Sequence, residues 1–268
     1  MKKNILSLGL LFRLLLLSLA LGVVVLLVFY VSFSRLFYCY ALPYSSFRTP
    51  YADTYISPKI PPSLHPLLFK MVQTARKRVH HFWGSTKARP VLVFCADEAE
   101  FAYFGRNYGT PAMVNLNPLG TYIIVLPDGA NIDVLSHEIS HAELYSRLGW
   151  YTKMRQIPAW FDEGLALMVD YRYPGGGKAH QHADYRKKLL ELGLPGSRPI
   201  GLSELRQIED FFARDTYHTH RAYLTAGQEL SRWLDQVKVK GLLQLIDSLK
   251  AGKDFMQVYA HIEKMALK

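Results

Sequence analysis

"IDVLSHEISHAELYSRLG", residues 132–149, is the stretch on which the reading of this chain turns. Asn131 or Asp133 can cap a helix at its start, and Gly149 stops it. Residues four apart on a helix share a face, so the imidazoles of His137 and His141 point the same way. That is the spacing at which two nitrogens can share one Zn²⁺ at about 2.0–2.1 Å. Glu138 is turned by roughly 100° from His137, beside such an ion, where a carboxylate can take the proton of an activated water. The bland alternative is a helix that carries two histidines and no ion. The motif leaves both open, and its surroundings must decide.

A catalytic zinc needs a third protein ligand and an open position. The run "IPAWFDEGLALMVDY", 157–171, supplies a candidate. It reads as a helix from Pro158 to about Asp170, with Pro158 at the start, where a missing N–H costs nothing. Glu163 falls on the apolar stripe with Trp160, Ala166 and Leu167, a costly place for a carboxylate unless a charge meets it. An ion held by the preceding helix resolves that anomaly. Asp162 points elsewhere, as a solvent residue or an outer partner of the site. Gly164 gives up roughly 1 kcal/mol of helix propensity, which signals a close backbone approach.

His137-Glu138-Ile139-Ser140-His141 followed by Trp160-Phe161-Asp162-Glu163-Gly164 resembles the gluzincin zinc metallopeptidases, and within them the peptidase MA-like branch. The likeness is specific over 137–170 and looser on either side. It implies His137, His141 and Glu163 as zinc ligands, one zinc per chain, and Glu138 as general base. It also implies a zincin-like domain, a small sheet lobe packed on helices with the cleft between. Relatives of this kind use a later Tyr or His for the oxyanion; the likeness puts Tyr223 there, with Tyr217, His218 and His220 as competitors. Aminopeptidases of the wider clan carry a Gly-Ala-Met-Glu-Asn strand ahead of the motif. Here Pro111-Ala112-Met113-Val114-Asn115 stands at a comparable distance, and Val114 cannot grip a substrate amine, which favours an endopeptidase.

Upstream, Ser63 to about Trp83 has a helical apolar stripe, and "PVLVFCA", 90–96, reads as a buried strand. Asp97 caps a helix to about Phe104, and 112–116 and 121–127 read as strands joined by the turn Asn117-Pro118-Leu119-Gly120. The second of these is the expected edge for pairing with an extended substrate. Downstream of Gly175-Gly176-Gly177 the patterns are helical, near 181–193, 203–213, 219–237, 241–250 and 254–266. Strands first and helices later is an α+β order. His180-x-His182 and His218-x-His220 read as loop or surface histidines, because i,i+2 spacing on a helix faces apart.

The first forty of the 268 residues differ from the rest. Residues 14–33 carry no charge, and a helix of that length spans about 30 Å, a hydrocarbon core. The apolar run is too long for a cleaved signal, and Tyr38 before Cys39 disfavours lipidation. Lys2, Lys3 and Arg13 favour a cytoplasmic N-terminus, which puts the remainder in a periplasm if the source is Gram-negative, with the anchor in the bacterial inner membrane. Residues 1–42 are thus expected as tip and anchor, 43–62, rich in Pro, Ser and Tyr, as an extended spacer, and 63–268 as the zincin-like domain. The net charge of +10 comes with no nucleic-acid module, and Arg76-Lys77-Arg78 and Arg186-Lys187-Lys188 read as solvated faces. Cys39 at the membrane edge and Cys95 at the end of a strand are not expected to pair.

Together these readings predict a membrane-anchored zinc metallopeptidase that cuts peptide or protein outside the cytoplasm and binds no nucleic acid. A silent zinc-binding scaffold or assembly factor of the envelope is the second reading.

Overall fold

Five strands make one mixed sheet, and its centre is the part that the sequence marks most clearly. The computed structural model describes residues 8–105, 109–117, 120–173, 182–193 and 198–267. The strands are β1 (Arg48–Tyr51), β2 (Thr54–Ile56), β3 (Val91–Phe94), β4 (Ala112–Asn117) and β5 (Gly120–Val125), in the order β1-β2-β3-β5-β4. β2, β3 and β5 run parallel, and β1 and β4 pair antiparallel at the two edges. The runs at β3 and β5 are apolar without alternation because both faces of the sheet are covered. Leu92, Phe94, Ile123 and Val125 face one core, Val93 and Ile124 the other.

The first face lies under α2 (His65–Trp83) and α4 (Ile132–Leu148). The second lies under α3 (Glu98–Phe104), capped by Asp97 as expected, and under the end of α1 (Leu8–Tyr40). Within α1, Gly9–Val31 is long and apolar enough to cross a membrane. The helical half follows α4: α5 (Trp150–Gln156), α6 (Ala159–Leu167), α7 (His182–Glu191), the short α8 (Ile208–Phe211), α9 (Thr216–Lys250) and α10 (Phe255–Ala266). The architecture is α+β.

Several expectations need correction. Residues 43–62 are no spacer, because β1 and β2 lie within them and β2 is hydrogen-bonded into the sheet beside β3. Tyr51 stacks on Phe69, and Tyr38 stacks on Tyr103, so both tyrosines are packing groups. Cys39 is buried in the sheet's second core along with Cys95, and neither forms a disulfide. β5 is no edge; it pairs with β3 on one side and β4 on the other, and the edge beside α4 is β4. Residues 203–213 form only one helical turn at each end. The helix α5 went unforeseen. The expected break near 238–240 is present inside α9, where Lys238 takes φ 56°. Pro118, Leu119, Gly175-Gly176-Gly177 and His180 lie outside the described residues.

Arg78 is not a solvated cation either. It pairs with Asp133 at 2.5 Å, donates to the Val169 carbonyl and lies over the Tyr171 ring. Lys187 and Lys188 are surface residues that pair with Glu191, as expected.

Candidate metal centre

α4 is buried almost all round, and burial makes each of the six polar residues in its middle costly unless it meets a partner. Asn131 caps it by accepting from the Val134 amide. Glu143, with no solvent exposure, accepts from the Lys87 and Ala88 amides and from Arg147, tying α4 to the segment that leads into β3. The face carrying His137 and His141 turns instead toward α6.

α6 comes close because of Gly164. A Cβ there would stand 2.7 Å from the Ala226 carbonyl oxygen and 2.9 Å from Leu230 of α9. The close approach expected from Gly164 is therefore real, and it seats Glu163 opposite the two imidazoles. Glu163 Oε2 lies 3.2 Å from His137 Nε2, and Oε1 lies 3.7 Å from His141 Nε2. One ligand atom from each of the three residues falls within 4.8 Å of the others. Two ligands at 2.0–2.1 Å from a tetrahedral ion stand roughly 3.4 Å apart; the two imidazole–carboxylate spacings are near that value, each to a different oxygen of Glu163, and the set of three, spread over 4.8 Å, would have to draw in around an ion. Glu163 Oε2 is buried without a hydrogen-bond partner, a costly state that a cation between the three groups removes. The three residues can hold a metal ion.

Behind each histidine stands a carboxylate, and behind each carboxylate a cation. Asp162 Oδ1 lies 2.8 Å from His141 Nδ1, and Lys153 of α5 holds its other oxygen at 2.6 Å. Asp170 Oδ2 lies 3.2 Å from His137 Nδ1, though off the line of a hydrogen bond, and Arg172 grips Asp170 with two nitrogens. With an ion bound, a carboxylate at Nδ1 would keep the ring proton there and leave the Nε2 lone pair for the ion. Of the two roles open to Asp162, the structure gives the outer partner. Asp170, Arg172 and Lys153 were not singled out from the sequence. Asp170 stands past the end of α6, which closes at Leu167, so helical spacing from Glu163 does not place it.

The protein groups alone set strong shifts. Burial opposes protonation of His137, but Asp170 and Glu163 outweigh it and lift the ring to about 10. Burial likewise opposes protonation of His141, and Asp162 and Glu163 overcome it. Asp162 would be raised by burial, yet His141 and Lys153 hold it well below the usual carboxylate range; Asp170 is held down in the same way by Arg172 and His137. Glu138 is raised, first by burial, with His137 and His141 pulling the other way.

Among the described residues no hydrogen bond or ion pair engages the Glu138 carboxylate, and it sits close enough to both histidines to feel them. Tyr223 projects from α9 toward the same place: burial raises its pKa first, and Glu163 and Glu138 next. Its ring lies among Tyr173, Phe211 and Phe212. Two of the competitors are engaged elsewhere, and the third, His220, shares the Tyr173 ring with Tyr223. His218 bonds the Asp210 carbonyl, His220 packs on Tyr173, and Tyr217 reaches the Leu192 carbonyl. His182 lies against the Gln228 carbonyl. Compared with known proteins, the chain matches no family model and no curated protein.

Proposed function

We propose that the chain is a zinc-dependent peptidase of the gluzincin, peptidase MA-like kind, with a zincin-like domain held by α1 at a membrane and working outside the cytoplasm. The observation that carries this reading is the convergence of His137, His141 and Glu163 beside a buried, unengaged Glu138. Two imidazoles and one carboxylate are a donor set suited to a catalytic zinc with one position open. When bound, the ion supplies a Lewis acid that polarises a carbonyl oxygen and makes nearby water more acidic. Glu138 then takes a proton from that water at its carboxylate and delivers it to the leaving amine. Tyr223, kept protonated by its surroundings, donates its O–H to the oxyanion.

An extended substrate pairs along the free edge of β4, the strand beside α4. Val114 lies on the α4-facing side of that strand and offers no carboxylate to a substrate amine, which supports endopeptidase action.

The test is Glu138→Gln in the full-length protein, with ion content and peptide-library cleavage measured side by side. The expected variant holds one zinc per chain and cleaves nothing. Cleavage retained by Glu138→Gln sinks the mechanism, and wild type that binds zinc yet cleaves no library is the silent scaffold instead.

A further inference from the structure

A cavity of about 660 Å³ opens beside the C-terminal half of α2, and none of its lining residues belongs to the metal centre. Arg76, Lys77, His80 and His81 line it from α2, Arg89 from the segment entering β3, and Asp53 from the β1–β2 turn. With Arg78 occupied by Asp133, the two cations beside it in sequence are the ones that face this space. Among the described residues, none of Arg76, Lys77 and Arg89 takes part in an ion pair.

Arg76 is half-buried, and its Nη2 is shut off from solvent without any hydrogen-bond partner. Burial lowers its pKa, and Asp53 counters that only in part. Three cations face one carboxylate here, which leaves two positive charges uncompensated. A phosphate monoester carries about −1.5 to −2 at neutral pH and three acceptor oxygens, whereas a carboxylate carries one charge. Arginine forks take such oxygens in pairs and lysine adds a point charge. His80 is fixed by Thr86, whose Oγ1 lies 3.0 Å from Nδ1, so its Nε2 remains for a ligand. The volume falls within the roughly 300–1,000 Å³ of small-molecule sites, room for a phosphate with an organic part attached.

We infer that this cavity binds a phosphate ester, gripped by Arg76, Lys77 and Arg89. The ester is either a soluble phosphorylated molecule or the headgroup of a phospholipid, and the two share the same contacts.

Calorimetric titration of the full-length protein in neutral detergent, at constant ionic strength with chloride as the control, tests this. The probes are glycerol 3-phosphate and dihexanoyl phosphatidic acid below its micellar concentration. The expected result is one saturable site, weakened about tenfold or more in Arg76→Gln and in Arg89→Gln, with zinc content unchanged. Binding of glycerol 3-phosphate upholds the proposal with a soluble ester; binding of the lipid alone upholds it with a headgroup. No saturable site for either probe, or equal affinity in both variants, overturns it. A hexaglutamate peptide that binds more tightly than either probe also overturns it, in favour of an acidic peptide. Arg89 is exposed, so Arg89→Gln keeps the test decisive where Arg76→Gln fails to fold.

Discussion

His137 and His141 take their orientation from residues that are not ligands themselves. Asp170 and Asp162 sit at the two Nδ1 atoms, and Arg172 and Lys153 hold those carboxylates in turn. Replacing Asp170 by Asn keeps the shape but removes the charge behind His137 and releases Arg172. Ion affinity should fall roughly 10–100-fold with the far-ultraviolet circular dichroism unchanged, measured by competition with a chelator. Unchanged affinity would remove Asp170 from the centre. A pH effect follows from His137, lifted from 6.5 to about 10. A raised folded pKa means that protonation favours the folded state, fully below 6.5 and decreasingly as pH approaches 10. Chelator-stripped protein should therefore lose melting temperature as pH rises across that window. Zinc affinity should rise over the same window, because the ion must displace the ring proton. A flat melting profile in the stripped protein would contradict the buried charge assigned to His137. That the two imidazoles share a face, where they could hold an ion, was legible in the sequence because i,i+4 spacing is local. Which carboxylate meets each Nδ1 was not, since that depends on how α6 packs against α4.

At the scale of elements, the centre depends on the distance between α6 and α9, and Gly164 sets it. Gly164→Ala gains about 1 kcal/mol of helix propensity. Against this, the new methyl meets the Ala226 carbonyl, a backbone atom that cannot swing aside, and overpacking of this kind costs about 1–3 kcal/mol. The overpacking should win, with a lower melting temperature and weaker zinc binding together, because Glu163 moves with α6. A variant that melts higher than wild type would show that the two helices separate without strain. Strands β3 and β5 could be read directly, since a sheet covered on both faces needs uninterrupted apolar runs. Strands β1 and β2 could not. Pro50 in β1 removes a donor, which only an edge strand tolerates, and β2 is three residues long. Their pairing comes from the sheet, not from local preference. The same holds for α5, which starts directly after Gly149 and whose Lys153 is needed only once Asp162 is buried beside it.

For the whole molecule, the consequence of missing β1 and β2 is that no tether separates the apolar helix from the domain. The apolar segment runs to Val31, and Leu36, Cys39 and Leu42 are already buried. Five residues of helix are about 7.5 Å, so if α1 crosses a bilayer the domain lies within roughly 10 Å of it. Its reach is fixed by the stacking of Tyr38 on Tyr103 and the packing of Cys39 and Leu42 against Val93 and Ile124. On the proposed peptidase reading, a substrate would have to come to the membrane, or carry its cleavage site close to one. The same packing makes the anchor part of the fold. Burying a large apolar side chain contributes about 1.5–3 kcal/mol, so losing Leu36, Cys39 and Leu42 removes roughly 4–8 kcal/mol, a large share of a typical total of about 5–15. A chain beginning at Tyr44 should melt about 10–25 °C below one beginning at Ser34, or aggregate through the bared face of the sheet. Differential scanning fluorimetry of the two truncations decides the matter. Equal melting temperatures would mean that the second core holds without α1, and that the domain is free to move on its anchor.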